Sequence, residues 1–192
     1  PTGTNLEISG VAKGAGLVPV RVLGNDGSGG FQDILDGLEW VRDNHAQHDI
    51  RAVNLSLGTT DTFVDAEDLS GSPIASQFET VIDQLRAEKI PVLAAAGNTQ
   101  DPQGLAFPAI LDNAIGVGAS EFDDANPSEE TIASFSNRND SLDLVAPGVD
   151  VLGAIGRLEA ADSTDGVGLA DGTSFATPQA AGAVLLINEV FE

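Results

Sequence analysis

The chain contains no cysteine. That excludes disulfides, thiolate nucleophiles and cysteine-ligated metal sites together, and it leaves the redox compartment unread. Methionine is also absent, and the only histidines are His45 and His48, too few for a histidine-rich metal site. Positive charge is scarce: Lys and Arg number 8 against 30 Asp and Glu, for a net charge of −22. So acidic a surface repels phosphate and excludes nucleic acid as a partner. It favours solubility, cation binding or work at high salt, where self-repulsion is screened. No apolar run approaches the roughly 20 residues that cross a bilayer, so no membrane is expected as a partner. The first residues, Pro1-Thr2-Gly3-Thr4, lack the basic and apolar character of a signal peptide. A mature or trimmed secreted form would look the same.

What is present is an alternation of short apolar runs and helical patterns. The 192 residues have room for one α/β domain with a real core. Apolar runs at 17–23, 52–58, 91–98, 114–119 and 142–148 read as buried strands. Between them, Ile34, Leu35, Leu38, Trp40 and Val41 predict a helix over about 31–46. Ile74, Phe78, Val81, Ile82 and Leu85 predict another over 73–88. The acidic 59–72 stretch reads as surface loop, and a last helix follows Ser174. Near-continuous apolar strands alternating with helices argue for an α/β three-layer sandwich with a mainly parallel sheet. With no internal repeat, low-complexity tract or linker, residues 1–192 read as a single domain.

In open parallel sheets, ligands sit beyond the carboxyl ends of the strands. Three such ends carry polar or glycine groups: Gly27-Ser28-Gly29, Ser56-Leu57-Gly58 and Gly97-Asn98. Glycine admits a close backbone approach, and an asparagine amide can donate to an oxyanion. By itself Asn98 reads equally as a turn residue after Gly97. The run Asp171-Gly172-Thr173-Ser174-Phe175-Ala176-Thr177-Pro178 ends at an apolar helix through Ala180, Ala181, Ala183, Val184, Leu185, Leu186 and Ile187. Taken alone, Gly-Thr-Ser is a helix N-cap, because capping serines outnumber catalytic ones. It also puts the Ser174 hydroxyl where free N–H groups and the helix dipole favour developing negative charge. A serine nucleophile for acyl transfer needs such a place.

The longer pattern, Gly172 through Pro178 followed by Ala181-Gly182, resembles the nucleophile motif of subtilisin-like serine peptidases. The resemblance extends along nearly the whole chain in the family's order. It takes in Gly10-Val11-Ala12 through Val20-Arg21-Val22-Leu23, Val53 through Gly58 and Ala94 through Asn98. It continues through Phe107-Pro108-Ala109, Gly116 through Ser120, Ala133 through Asn137, and Val145 through Gly148.

The resemblance implies a serine endopeptidase acting on polypeptide. Ser174 would be the acylated nucleophile. The Asn98 side chain and the Ser174 N–H would be the oxyanion donors. Gly27, Ser28 and Gly29 would form one edge strand against the substrate, and Ser56, Leu57 and Gly58 the other. Ala95, Ala96 and Gly97 would line the pocket for the side chain before the scissile bond, roomy enough for a large apolar group. Phe107-Pro108 would be a cis peptide, whereas the residues by themselves read as a trans proline in a loop. No cofactor is needed for the chemistry. Structural calcium is implied by the family, with Asp123, Asp124, Asp143, Asp162 and Asp165 as candidate ligands, although they read equally as solvated surface carboxylates. A propeptide is a further expected partner, and the setting is secreted, extracellular.

The same resemblance exposes two gaps. The family's aspartate and histidine motifs lie upstream of everything matched here. The triad base and its orienting Asp would therefore come from outside this chain, which alone would be a very poor peptidase. His45 and His48, in a polar helix end, read as solvated surface residues. The aspartate-bearing strand would lie between those resembling 17–23 and 52–56. Either another chain supplies the upstream piece, or the sequence is an excerpt, or the sheet closes differently. The other reading is a catalytically dead relative that kept the groove as a peptide-binding module; retention of both Ser174 and Asn98 favours the enzyme. A nucleotide-binding protein is disfavoured, since the glycines at 24–30 follow no dinucleotide or P-loop pattern and no lysine follows them.

Overall fold

The computed structural model describes residues 9–123, 126–154 and 167–191. Its centre is a sheet whose parallel strands are β1 (Val53–Leu55), β3 (Val92–Ala95), β5 (Ile115–Asp123) and β7 (Leu144–Pro147). β6 (Asn126–Ile132) joins antiparallel to the second half of β5. Two small antiparallel pairs lie apart from it: β2 (Thr62–Phe63) with β4 (Leu105–Ala106), and β8 (Val151–Ala154) with β9 (Val167–Ala170).

Helices α1 (Phe31–His48) and α2 (Pro73–Ala87) cover one face, and α3 (Thr173–Phe191) covers the other. The layering follows from side-chain alternation along β3, every residue of which is buried. Val92 and Ala94 pack with Leu35, Leu38, Phe78 and Ile82 of α1 and α2, while Leu93 packs with Ala176 and Ala180 of α3. α2 begins where Pro73 occupies its first turn and Ser72 Oγ accepts the Ala75 N–H at 3.4 Å. The result is the expected three-layer α/β sandwich with a mainly parallel sheet, and α1 and α2 fall within two residues of their expected bounds.

Two expectations are corrected. Residues 17–23 form no strand. Strand geometry needs a ladder partner, and β1 has none on its outer edge among the described residues. Val20 and Val22 of this segment instead rest against Gly37 of α1, while the chain before it packs Val11 against Gly182 of α3. The 59–72 stretch is more than loop. It contributes β2 and a 3-10 turn, Ala66–Leu69, whose Asp65 cap accepts the Asp68 N–H at 3.1 Å.

Candidate active site

Ser174 is the second residue of α3, half-buried, just beyond the carboxyl end of β1. The turn into the helix is set by Gly172, whose φ of +145° is open only to glycine without strain. Its N–H donates to the Gly148 carbonyl at 2.8 Å, which ties the helix start to the loop after β7.

A helix leaves its first N–H groups without internal acceptors. Here the Thr173 N–H donates to Asn98 Oδ1 at 2.9 Å, and Thr173 Oγ1 donates to the same oxygen at 2.9 Å. The N–H can only donate, which fixes the amide's orientation. Thr173, itself buried, also accepts the Gly97 N–H at 3.2 Å. Asn98 thus caps α3 from the end of the neighbouring strand. Its Oδ1 is occupied by two donors, while Nδ2, on an exposed residue, has no acceptor among the described residues. The Ser174 N–H, in the same first turn, likewise has no carbonyl partner among them. Two donors therefore stand free at the start of α3, of the kind that can stabilise an oxyanion.

That hydroxyl donates to the Ser56 carbonyl at 3.2 Å, and Ser56 Oγ donates back to the Ser174 carbonyl at 2.7 Å. Ser56, Leu57 and Gly58 continue from β1 alongside Ala95 and Ala96. A Cβ at Gly58 would come within 3.6 Å of the Ala95 carbonyl and 3.1 Å of the Ala106 methyl. Ala95 and Ala96 are buried, whereas Gly97 is half-buried and turns the chain out at φ +103°. The structure therefore brings together Ser174, Asn98, Ser56, Leu57, Gly58, Ala95, Ala96 and Gly97.

Gly27, Ser28 and Gly29 lie apart, in an exposed turn rather than a strand. The Gly24 N–H donates to the Ser28 carbonyl at 2.7 Å, and Asp26 Oδ1 accepts the Ser28 N–H at 3.1 Å. No hydrogen bond among the described residues joins them to Ser174 or Asn98. The link is indirect: Phe31 packs edge-on against Phe107 at 5.6 Å, and the Phe107 carbonyl accepts the Thr59 N–H next to Gly58. The Phe107-Pro108 peptide is cis, as expected.

Asn137 and Thr173 carry roles that the sequence alone does not assign them. Asn137 is fully buried, and its Oδ1 accepts the Thr99 N–H and hydroxyl, both at 2.9 Å, and the Asp101 N–H at 3.1 Å. Its Nδ2 donates to the Ala96 carbonyl at 3.1 Å and its N–H to the Gly97 carbonyl at 3.0 Å. One side chain thus holds the whole turn that presents Asn98. An asparagine after Ser-Phe-Ser is the sequence signal for it. Further along that turn, Asp101 accepts from the Thr62 hydroxyl, and from the Gln103 N–H at 2.9 Å. These bonds, the Thr62 one foremost, hold its carboxyl below the usual aspartate range.

Neither histidine is near Ser174. His45 lines a cavity of about 500 Å³ with Asp49, Ile50, Glu88 and Ile90, where β1 and β3 begin, at the opposite end of the sheet. His48 stacks on Trp40 with ring centroids 5.3 Å apart. Of the calcium candidates, Asp143 Oδ2 accepts the Gly116 N–H at 2.7 Å. The Asp123 side chain and all of Asp124, Asp162 and Asp165 lie outside the described residues. No cluster of three or more His, Asp or Glu fit to hold a metal occurs among the described residues.

Comparison with known proteins identifies the family. The chain is 35% identical over 185 residues to Subtilisin BL of Lederbergia lenta, an alignment covering 96% of this chain and 58% of that protein. It is 33% identical to Subtilisin E of Bacillus subtilis, with 95% and 41% covered. The chain therefore spans less than two thirds of the length of these relatives. Among solved structures, a cold adapted subtilisin-like serine proteinase superposes with a TM-score of 0.70 at 30% identity, over 94% of this chain and 56% of that one. The prenylagaramide maturation protease PagA superposes at 0.61 and 28% identity, over 85% and 52%. The family model described as the subtilase family matches residues 2–192. With that match over nearly the whole chain, and a mainly parallel sheet like that of its structural neighbours, the chain belongs to the subtilase family.

Proposed function

We propose that this chain carries the nucleophile, the oxyanion donors and the peptide groove of a secreted serine endopeptidase. The carrying observation is the start of α3: Ser174 stands beside Asn98, whose Oδ1 is fixed by Thr173 and whose Nδ2 is free. Ser174 Oγ attacks the scissile carbonyl, whose oxygen moves toward the Ser174 N–H and Asn98 Nδ2 as charge develops. A general base takes the Ser174 proton and passes it to the departing amine as the tetrahedral adduct collapses to an acyl ester on Ser174; water, giving its proton to the same base, then hydrolyses the ester and frees the hydroxyl. The extended substrate adds as a strand along residues 56–58, so recognition of its backbone is largely sequence-tolerant. The pocket beside Ala95, Ala96 and Gly97 takes the side chain before the cleaved bond.

The general base and its orienting carboxylate come from outside this chain. In the structure described, the Ser174 hydroxyl gives its hydrogen to a carbonyl, which cannot take the proton away. That contact favours a second reading, a peptide-binding module without turnover. Calcium, on the family resemblance, has a structural role only, and no step above passes through it.

Turnover separates the readings. The full-length protein should cleave a chromogenic peptide with a large apolar residue before the leaving group, and Ser174→Ala should abolish cleavage while the peptide still binds. Binding without cleavage by the unaltered protein would select the module.

A further inference from the structure

Pro178 lies inside α3, four residues after Ser174. A helical carbonyl is normally paired with the N–H four residues on, and proline has no N–H to give. The regular helix hydrogen bond is therefore lost at the carbonyl of the very residue that carries the hydroxyl. Ser56 Oγ does so instead, at 2.7 Å. Ser56 is held in turn by Asn54, whose Nδ2 donates to Ser56 Oγ at 3.0 Å, and its own carbonyl accepts the Ser174 hydroxyl. Residue 174 is thus gripped at its carbonyl and at its side chain by one residue just past the end of β1.

We propose that Ser56 is a positioning residue for the Ser174 nucleophile, its hydroxyl replacing the helix hydrogen bond that Pro178 removes. The proposal rests on the peptidase reading above. A carbonyl held by a side chain of the groove, rather than by the helix, couples the orientation of Ser174 to the strand that lies along the substrate. Loss of the donor lets the 174–175 peptide tilt, and Oγ moves relative to Asn98 Nδ2. Misplacement by about 1 Å lowers rates by up to about 10²-fold.

The test is a set of variants in the full-length protein, assayed for peptide turnover and for thermal melting. Ser56→Val should lower kcat with little change in KM, and Ser56→Thr, the same shape with a donor retained, should keep kcat. Pro178→Ala restores an N–H four residues from Ser174, so adding it to Ser56→Val should recover most of the lost kcat. An unchanged kcat in Ser56→Val would overturn the proposal. So would equal losses in the Thr and Val variants, or a double variant no better than Ser56→Val. Should the unaltered protein neither cleave peptide nor react at Ser174, the peptidase reading fails first and the positioning role falls with it.

Discussion

The proposed mechanism gives Asn98 two tasks on one amide, and they can be separated by substitution. Its oxygen caps α3 through Thr173 and its nitrogen is free to donate. Asn98→Asp keeps an acceptor for Thr173 and removes the donor, so the melting temperature should hold while kcat falls. Asn98→Ala removes both, and should also lose about 1 kcal/mol of stability with the cap. The expected fall in kcat is about 10²–10³-fold, the magnitude for removing one oxyanion donor, for which subtilisin is the worked case. Equal melting temperatures for the two variants would contradict the capping role. The other residue-scale device, Thr173, is legible only in three dimensions, because its acceptor lies 75 positions away in sequence.

At the scale of elements, the site depends on turns clamped from a distance. Asn137→Ala removes the partners of Thr99, Asp101 and the Ala96 carbonyl at once. Unfolding in urea should show a loss of about 1–3 kcal/mol, as for a buried polar group left unpaired, and turnover should fall with it. The Thr62–Asp101 bond links the turn after Asn98 to the strand after Gly58. Because it depresses the Asp101 pKa, its stabilisation is complete above the ordinary aspartate value near 4 and is lost as pH falls through the folded-state value. Thr62→Val should therefore lower the urea midpoint at pH 7 and differ less from the unaltered protein below about pH 4.

These elements also show what a sequence can and cannot carry. α1, α2, β3 and α3 are legible because their apolar periodicity is strong and their burial one-sided or complete. β6 escapes a sequence reading because Glu129, Glu130 and Thr131 give it no apolar run, and β2 and β4 because two residues hold no period. The 17–23 run resembles a strand in composition, but pairing is a property of the sheet. Leu17 in fact stands 93% exposed. Ser174 and Asn98 are found through local motifs, whereas the bonds by which Asn137 clamps its turn and Ser56 grips Ser174 span 36 to 118 positions, so the motifs mark the residues but not these roles.

For the whole molecule the governing influence is charge. A net charge of −22 on 192 residues opposes compaction through self-repulsion. Few cations relieve it: among the described residues the ion pairs gather around Arg42 and Arg51. Screening should therefore stabilise the fold. The melting temperature should climb steadily from low salt to molar KCl, and a flat or falling trend would remove charge repulsion from the account. No helix among the described residues is long and apolar enough to cross a membrane. The central claim is that Ser174 is a nucleophile. The most direct measurement is intact mass and peptide mapping of the full-length protein after treatment with a fluorophosphonate. One adduct is expected, on Ser174, absent from Ser174→Ala and slowed in Asn98→Ala. A folded protein that takes up no adduct, or takes it up at another residue, would contradict it.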